Sequence, residues 1–572
     1  MIRRKRCSPP PGSSAARSSA RATRACMSCA EFPLPAIVLL ALFGASEPPK
    51  TAFDEIDALE LRARIVQLAG GALEGRDTPS AGLDAAADLI EAALREAGLR
   101  GAGKDGSFRT TYSHEVLTPV AERCALEWTG STPLPKQSAP STGGGARDAA
   151  PDEAEEEGFR LGIDYVPFPN RSGTAEGELV FLGFGIESKK EPYDDLRGDI
   201  SERIAVILEG EPRHARMFEG PEITPEADLH SKLVALEREK VAGVIVVRRG
   251  AERDGSQKSD HAKVAPTVVE KLSFRSTFAI FAGEAPREPL KVDLPVIEVS
   301  RAAAARLCGE DIAALGAKID SNGKPLRRDY KGRRARIASA SAVQPVQLAN
   351  VVATLPGADA KLAGEYVVLG AHYDHIGVDA RGRIGFGADD NASGTAALLE
   401  IAQALAKKPL RRSVLLCAFS GEEDGLLGSR ALCADPPVPV DTMVAMLNLD
   451  MIGRGKVDEF AALGTKQTPS FEKLLERART KPTGIKKIVT GQGDELWQRS
   501  DHYSFHQVGV PALFFFEGLP ISANEDYHTW RDTLDRLDYE KIERTAKLAY
   551  SVLWSLGNDD AKPPRPVPEP RK

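Results

Sequence analysis

The sequence predicts an α/β fold, a mixed but mostly parallel sheet covered by helices on both faces, and three observations carry that prediction. Between residues 330 and 556, the runs Tyr366-Val-Val-Leu-Gly-Ala, Ser413-Val-Leu-Leu-Cys-Ala-Phe, Met443-Val-Ala-Met-Leu-Asn-Leu and Pro511-Ala-Leu-Phe-Phe-Phe are apolar without alternation, as strands covered on both faces are. They alternate with amphipathic stretches such as Thr395 to Leu405, the order that builds a parallel sheet. Acidic and histidine residues stand directly after the runs, at the carboxyl ends of strands, where ligands bind in such sheets.

Earlier segments are read in the same way. Residues 1–49 have the order of an export leader: seven Lys/Arg and no acid before Cys29, then an apolar run from Leu34 to Phe43 ending in Gly44-Ala45-Ser46. That run is too short to span a bilayer comfortably, so membrane association is expected only through an uncleaved leader. Residues 51–130 open with helical pattern: Leu83, Ala86, Leu89, Ile90, Ala93, Leu94 and Ala97 recur at spacings of three and four. Ser80 stands at the start of that pattern and Gly98 at its end. Residues 131–158 are Ser/Pro/Gly-rich and then acidic, a solvated insertion that cannot offset its ordering entropy by burial. Residues 159–322 hold short apolar strands, at Glu178, Arg203, Val241 and Leu294, with helices near Leu233 and Ala302. The tail 558–572 carries five prolines and is expected to be disordered.

Composition narrows the function. With 572 residues the chain holds more than one packed unit. Its net charge of −7 and lack of a basic stripe argue against a nucleic-acid partner. Of the seven cysteines, Cys7, Cys26 and Cys29 fall in the leader and the others are scattered, which argues against a disulfide scaffold or a thiolate zinc site.

The residues at the strand ends are of one chemical kind. His372-Tyr-Asp374, Asp389-Asp390, Glu422-Glu423, Asp450 and His528 are all oxygen or imidazole donors. Singly, each reads as a turn residue, a helix cap or a solvated acid. Converging on one rim, they would repel each other without a cation between them. Two imidazoles and three carboxylates suit a pair of zinc ions better than one, since a single catalytic zinc is satisfied by three protein ligands and a water.

The runs AHYDHIG, GADDNASG, FSGEEDGLLGS, LNLDMIG and DYHTWRDTLD resemble the M28 family of co-catalytic zinc peptidases over about Gln344 to Leu556. The segment around Tyr193-Asp-Asp-Leu-Arg-Gly resembles an inserted β-rich protease-associated (PA) domain, and Ala69 to Gly98, with Leu-Glu-Gly-Arg76, resembles the family's N-terminal helices. The resemblance implies a zinc-exopeptidase fold and a secreted or periplasmic aminopeptidase that cleaves N-terminal residues from peptides by a metal-bound hydroxide. The alternatives the resemblance leaves open are a carboxypeptidase or dipeptidase, a glutaminyl-cyclase-like enzyme, and a non-catalytic receptor-like member. It further implies two zinc ions: Asp390 bridging, His372 and Asp450 on one, Glu423 and His528 on the other. Glu422 is then the general base, and Asp374 the residue that fixes the His372 tautomer. A cis peptide is implied at Asp390–Asn391. Trp497 stands where some relatives have a phenol, and Tyr527 is the candidate substitute donor to the oxyanion. Asp501 and His502 are expected to line the substrate pocket, with His375 and His506 near the site but not ligands.

Overall fold

The four apolar runs are strands, and they lie side by side. A computed structural model of the chain describes residues 53–131, 158–247 and 292–568, apart from 162–163, 169–172, 215, 219–224, 379–382, 494–495 and 520–522. The expected leader and nearly all of the expected insertion lie outside the described residues. Tyr366–His372 pairs in parallel with Ser413–Phe419 on one side and Met443–Leu449 on the other, and Met443–Leu449 pairs in parallel with Ala512–Phe516. Antiparallel strands extend both edges, among them Ser341–Leu355 against Ser413–Phe419 and Glu459–Leu463 against Ala512–Phe516. The result is the mixed, nine-stranded sheet of the predicted α/β class.

Alternation of side chains across the pleat gives the sheet two apolar faces. Val367, Leu369 and Ala371 pack with the helices Ala58–Leu68, Ala81–Glu96, Gly394–Lys407 and Tyr539–Asn558. Val368, Leu415, Cys417 and Met446 face the other way, against Leu432 of the Leu427–Ala434 helix and Phe505 of the His502–Gln507 helix. The helix read from the spacing near Leu83 is Ala81–Glu96, and the Ser80 hydroxyl caps it by accepting from the Leu83 amide at 3.0 Å. Leu89, counted on its apolar face, lies outside it and is 38% exposed. The buried stripe is Leu83, Ala86, Ala87, Ile90 and Leu94.

A second sheet of seven strands has a parallel centre, Gly173–Leu182, Ile204–Leu208, Gly243–Val247 and Val296–Val299. It too is covered on both faces, by Leu229–Arg238 on one and by Arg301–Cys308 with Ile312–Asn322 on the other. This unit is therefore layered α/β rather than simply β-rich. Its sheet also reaches beyond 159–322, because it includes Ala125–Trp128 and Arg327–Ser339. The chain passes directly from Arg327–Ser339 in this sheet into Ser341–Leu355 in the first.

The tail departs from the expected disorder over its described part. Arg565 donates to the carbonyls of Met443 at 2.8 Å and Val440 at 3.1 Å, so long-range hydrogen bonds hold a segment that lacks apolar bulk.

Gly82 gives a clean test of packing. A Cβ there would stand 1.8 Å from the Leu73 carbonyl oxygen. Helix propensity alone would make Gly82→Ala stabilising by about 1 kcal/mol. Steric exclusion by a backbone atom reverses that, and a net loss of about 1–3 kcal/mol is expected in the denaturation midpoint.

Candidate metal centre

The parallel register brings the carboxyl ends of three strands to one edge, where His372 closes the first, Ser420 to Glu423 follow the second and Asp450 follows the third. Asp390 sits in the turn before the Gly394–Lys407 helix, and His528 in the loop after the last parallel strand. All five expected ligand residues are buried.

Their donor atoms meet in a specific pattern. His372 Nε2 lies 3.2 Å from Asp450 Oδ1 and 3.3 Å from Asp390 Oδ1. His528 Nε2 lies 3.1 Å from both Asp390 Oδ2 and Glu423 Oε2. The two oxygens of Asp390 are thus divided between two histidines, each of which faces a second carboxylate as well. One ring N–H serves two oxygens poorly, whereas lone pairs converging on a cation adopt this spacing naturally. Two groups of donors close enough to hold a metal, His372–Asp390–Asp450 and His375–Asp390–Glu423, share Asp390, and oxygen-and-imidazole ligation suits zinc.

The surrounding groups hold these donors in place. His372 Nδ1 points at Asp374, 3.2 Å from its carbonyl oxygen and 3.5 Å from Oδ1. With Nδ1 directed at Asp374 in this way, a neutral His372 ring protonated at Nδ1 would present its Nε2 lone pair to the side of Asp390 and Asp450. The Asp374 carboxylate does more than the sequence suggested, because it also accepts from the amides of Glu422 at 3.1 Å and Glu423 at 3.2 Å. Ser500 donates to Asp450 Oδ2 at 2.6 Å and accepts from Asn448 Nδ2 at 2.7 Å. The Asp532 carboxylate accepts from the amides of Asp389 at 3.0 Å and Asp390 at 3.0 Å. Gly394 is required where the chain turns back from the Asp390 loop, since a Cβ there would stand 2.4 Å from both Asn391 Oδ1 and the Leu449 carbonyl. The Asp390–Asn391 peptide is cis.

Other sequence candidates fall as follows. His375 is buried with Nδ1 2.9 Å from Glu423 Oε1 and 3.8 Å from Asp390 Oδ2, so it abuts the cluster as a neighbour of Glu423. The Tyr527 ring stacks on that of His528 at 3.7 Å, and its hydroxyl accepts from Arg499 at 3.1 Å. His502 stacks on Phe514 and lies tilted against Trp497, each at 4.6 Å, and His506 meets Trp497 edge-on at 5.2 Å, so these two rings pack in an aromatic layer. Asp501 is fully buried, and burial pushes its carboxyl up to about 7. Asn448 and Asp532 lie inside the runs LNLDMIG and DYHTWRDTLD, and Ser500 directly before Asp501, but none was given a role, because a side chain's partner across the fold is not written in its run. Asp532 could have been suspected from its place four residues after His528.

The electrostatics follow from this crowding. Burial raises the Glu422 carboxyl well above its ordinary range; the imidazole of His372 opposes this, and Glu423 and Asp450 add to it. Burial works against a charged His372, but Asp450 and Glu422 outweigh it and raise that group well above its usual value. Burial and Glu423 push Asp390 up, but His375, His372 and His528 outweigh them and hold it below its ordinary range.

Residues 350–553 match the model of peptidase family M28. Over these residues the chain is similar to that family. Among similar proteins, a probable zinc metalloprotease of Pyrenophora tritici-repentis is 28% identical over 279 residues, 41% of this chain and 61% of its own length. Leucine aminopeptidase 1 of Ajellomyces dermatitidis is 31% identical over 229 residues, 37% of this chain and 57% of its own length. The chain thus spans little more than half the length of these curated relatives. Two solved structures share the fold over nearly the whole chain. An aminopeptidase from Aneurinibacillus sp. strain AM-1 has a TM-score of 0.53 at 19% identity, covering 91% of this chain and 98% of that one. A zinc aminopeptidase from Bacillus subtilis has a TM-score of 0.54 at 19% identity, covering 89% and 97%.

The buried Ser500 hydroxyl is open to a direct test. Ser500→Ala leaves the Asn448 amide and Asp450 Oδ2 without their shared partner, and a loss of about 1–3 kcal/mol in unfolding free energy is expected by denaturant titration.

Proposed function

We propose that this chain is a zinc-dependent aminopeptidase, exported through its leader, which hydrolyses N-terminal residues from peptides. The observation that carries the reading is the division of Asp390 between His372 and His528, with Asp450 completing one donor group and Glu423 the other. In this reading His372, Asp390 and Asp450 hold one zinc, and Asp390, Glu423 and His528 hold a second. The relatives named as a zinc metalloprotease and a leucine aminopeptidase support it. The unit around the second sheet is proposed to be a PA domain.

When bound, the zinc ions would polarise the scissile carbonyl and make a water acidic enough to attack at neutral pH. This chain's residues do the rest. Glu422 is adjacent to the ligand Glu423, its amide is held by Asp374, and its carboxylate takes the proton from the attacking water and returns it to the leaving amine. Tyr527 is proposed as the donor to the developing oxyanion. Its hydroxyl accepts from Arg499 and so keeps its own proton for donation. Asp374 fixes His372 in the tautomer that presents Nε2.

Glu422→Gln keeps the shape of the side chain and removes the base, so turnover should fall by about 10²–10⁴-fold while metal analysis still finds two zinc ions per chain. Full activity in that variant overturns the assignment. Chelation should abolish hydrolysis of amino acid anilides and zinc should restore it. Peptides with blocked N-termini should resist cleavage, and efficient cleavage of them would point instead to a carboxypeptidase or an endopeptidase.

A further inference from the structure

The segment Leu73–Thr78 lies far in sequence from the matched residues 350–553, yet it lies under the metal centre. Arg76 is 1% exposed. Its guanidinium donates from Nε to the Tyr373 carbonyl at 2.7 Å, from Nη1 to the carbonyls of Phe386 at 2.9 Å and Leu68, and from Nη2 to Gly387 at 3.0 Å. Among the described residues, no carboxylate pairs with it directly. A buried, permanently charged side chain is costly unless its hydrogen bonds are satisfied, and here main-chain oxygens satisfy it.

Three of the four carbonyls it gathers belong to the two loops that the metal site must bring together, and the fourth, of Leu68, ends the Ala58–Leu68 helix. Tyr373 lies between His372 and Asp374, and Phe386 and Gly387 open the turn that delivers Asp389 and Asp390. Neighbouring residues strengthen the same junction. The His375 amide donates to the Arg76 carbonyl at 3.1 Å, the Gly377 amide to the Gly75 carbonyl at 3.1 Å, and Thr78 Oγ1 to Asp374 Oδ2 at 3.3 Å. Gly75 has φ +73, and a Cβ there would stand 2.4 Å from the Gly385 carbonyl and 2.5 Å from that of Gly377. The chain has to pass at backbone contact for Arg76 to reach both loops.

We propose that Arg76 is a positioning residue for the metal centre, clamping the His372 strand end to the Asp390 loop so that their donor atoms face the same two cations. This rests on the di-zinc reading above. Only a planar, forked donor reaches carbonyls from three separate segments, so lysine cannot replace it. The N-terminal segment is on this view part of the metal site, and residues 350–553 alone do not make one.

The test uses the full chain. Apo wild type, Arg76→Ala and Arg76→Lys are titrated with Zn²⁺ against a competing chelator and with Co²⁺ while the visible spectrum is recorded, and folding is checked by circular dichroism and melting. Wild type should bind two ions per chain; failure to do so sinks the di-zinc reading itself. If wild type binds two, both variants should remain folded, bind metal about 10- to 100-fold more weakly and give an altered cobalt spectrum. Guanidinium ion, added well below unfolding concentrations, should restore the spectrum of Arg76→Ala but not that of Arg76→Lys. Wild-type affinity and spectrum in folded Arg76→Ala overturn the proposal. So does failure of both variants to fold without metal, which would make Arg76 a residue of the fold rather than of the site.

Discussion

The arrangement turns on one carboxylate doing two things at once. Asp390 gives Oδ1 to the group formed with His372 and Asp450, and Oδ2 to the group formed with His528 and Glu423. A single side chain can do this only if four other segments, from three strand ends and a distant loop, arrive at fixed distances from it. Each of them also loses its hydration on burial, a loss that is tolerable for carboxylates only when opposite charge replaces the water. Parallel strands of matched register provide the first requirement, since His372 and Phe419 are direct partners and the chain continues from Phe419 into the Glu422–Glu423 turn. The second requirement falls on whatever cations the donors enclose.

The strands were legible in the sequence because an apolar run is a local signal, whereas the five donors, ordinary singly, stood out by their shared chemistry at the strand ends and took their roles from the resemblance to family M28. A run of apolar residues without alternation has one economical placement, and an acid or histidine straight after it must stand at the sheet edge. What stayed hidden acts across long sequence separations. Asp532 holds the amides of Asp389 and Asp390 from over 140 residues away, and Ser500 reaches Asp450 from 50 residues away, beside a segment in which Trp497 and His502 pack with Phe514. His375 was set aside as a neighbour, yet it abuts Glu423, and nothing in AHYDHIG says which imidazole meets which carboxylate. The proline-rich tail misled for a related reason, because composition reports missing apolar bulk but not the two carbonyls that wait for Arg565.

The two sheets are less separable than the division of the sequence implied. Arg109–Pro119 belongs to the first sheet and Ala125–Trp128 to the second, and the return path runs through Arg327–Ser339 into Ser341–Leu355. The outgoing strand touches the chemistry on its way. Tyr112 Oη lies 2.9 Å from Ser420 Oγ and donates to the Ser420 carbonyl at 3.1 Å, two residues before Glu422. The strand that enters the second unit therefore also supports the turn carrying the proposed base.

That support is typical of how the site is built. Few of the groups facing the two donor clusters rest on their own backbone alone. His372 is held through its carbonyl by Thr395 at 2.6 Å and through its ring by Asp374, Asp450 by Ser500, and the Asp390 loop by Asp532 and by the Gly453 amide on Asp389. A ligand free to choose among rotamers must be ordered when the metal arrives, and that entropy is subtracted from the binding energy. Here the ordering is done when the chain folds, by hydrogen bonds each worth only about 1–3 kcal/mol, so the carboxylates and imidazoles already face one another. The same economy explains why the supporting residues come from so many parts of the chain: a rigid cluster of like charges can be held open only from outside itself.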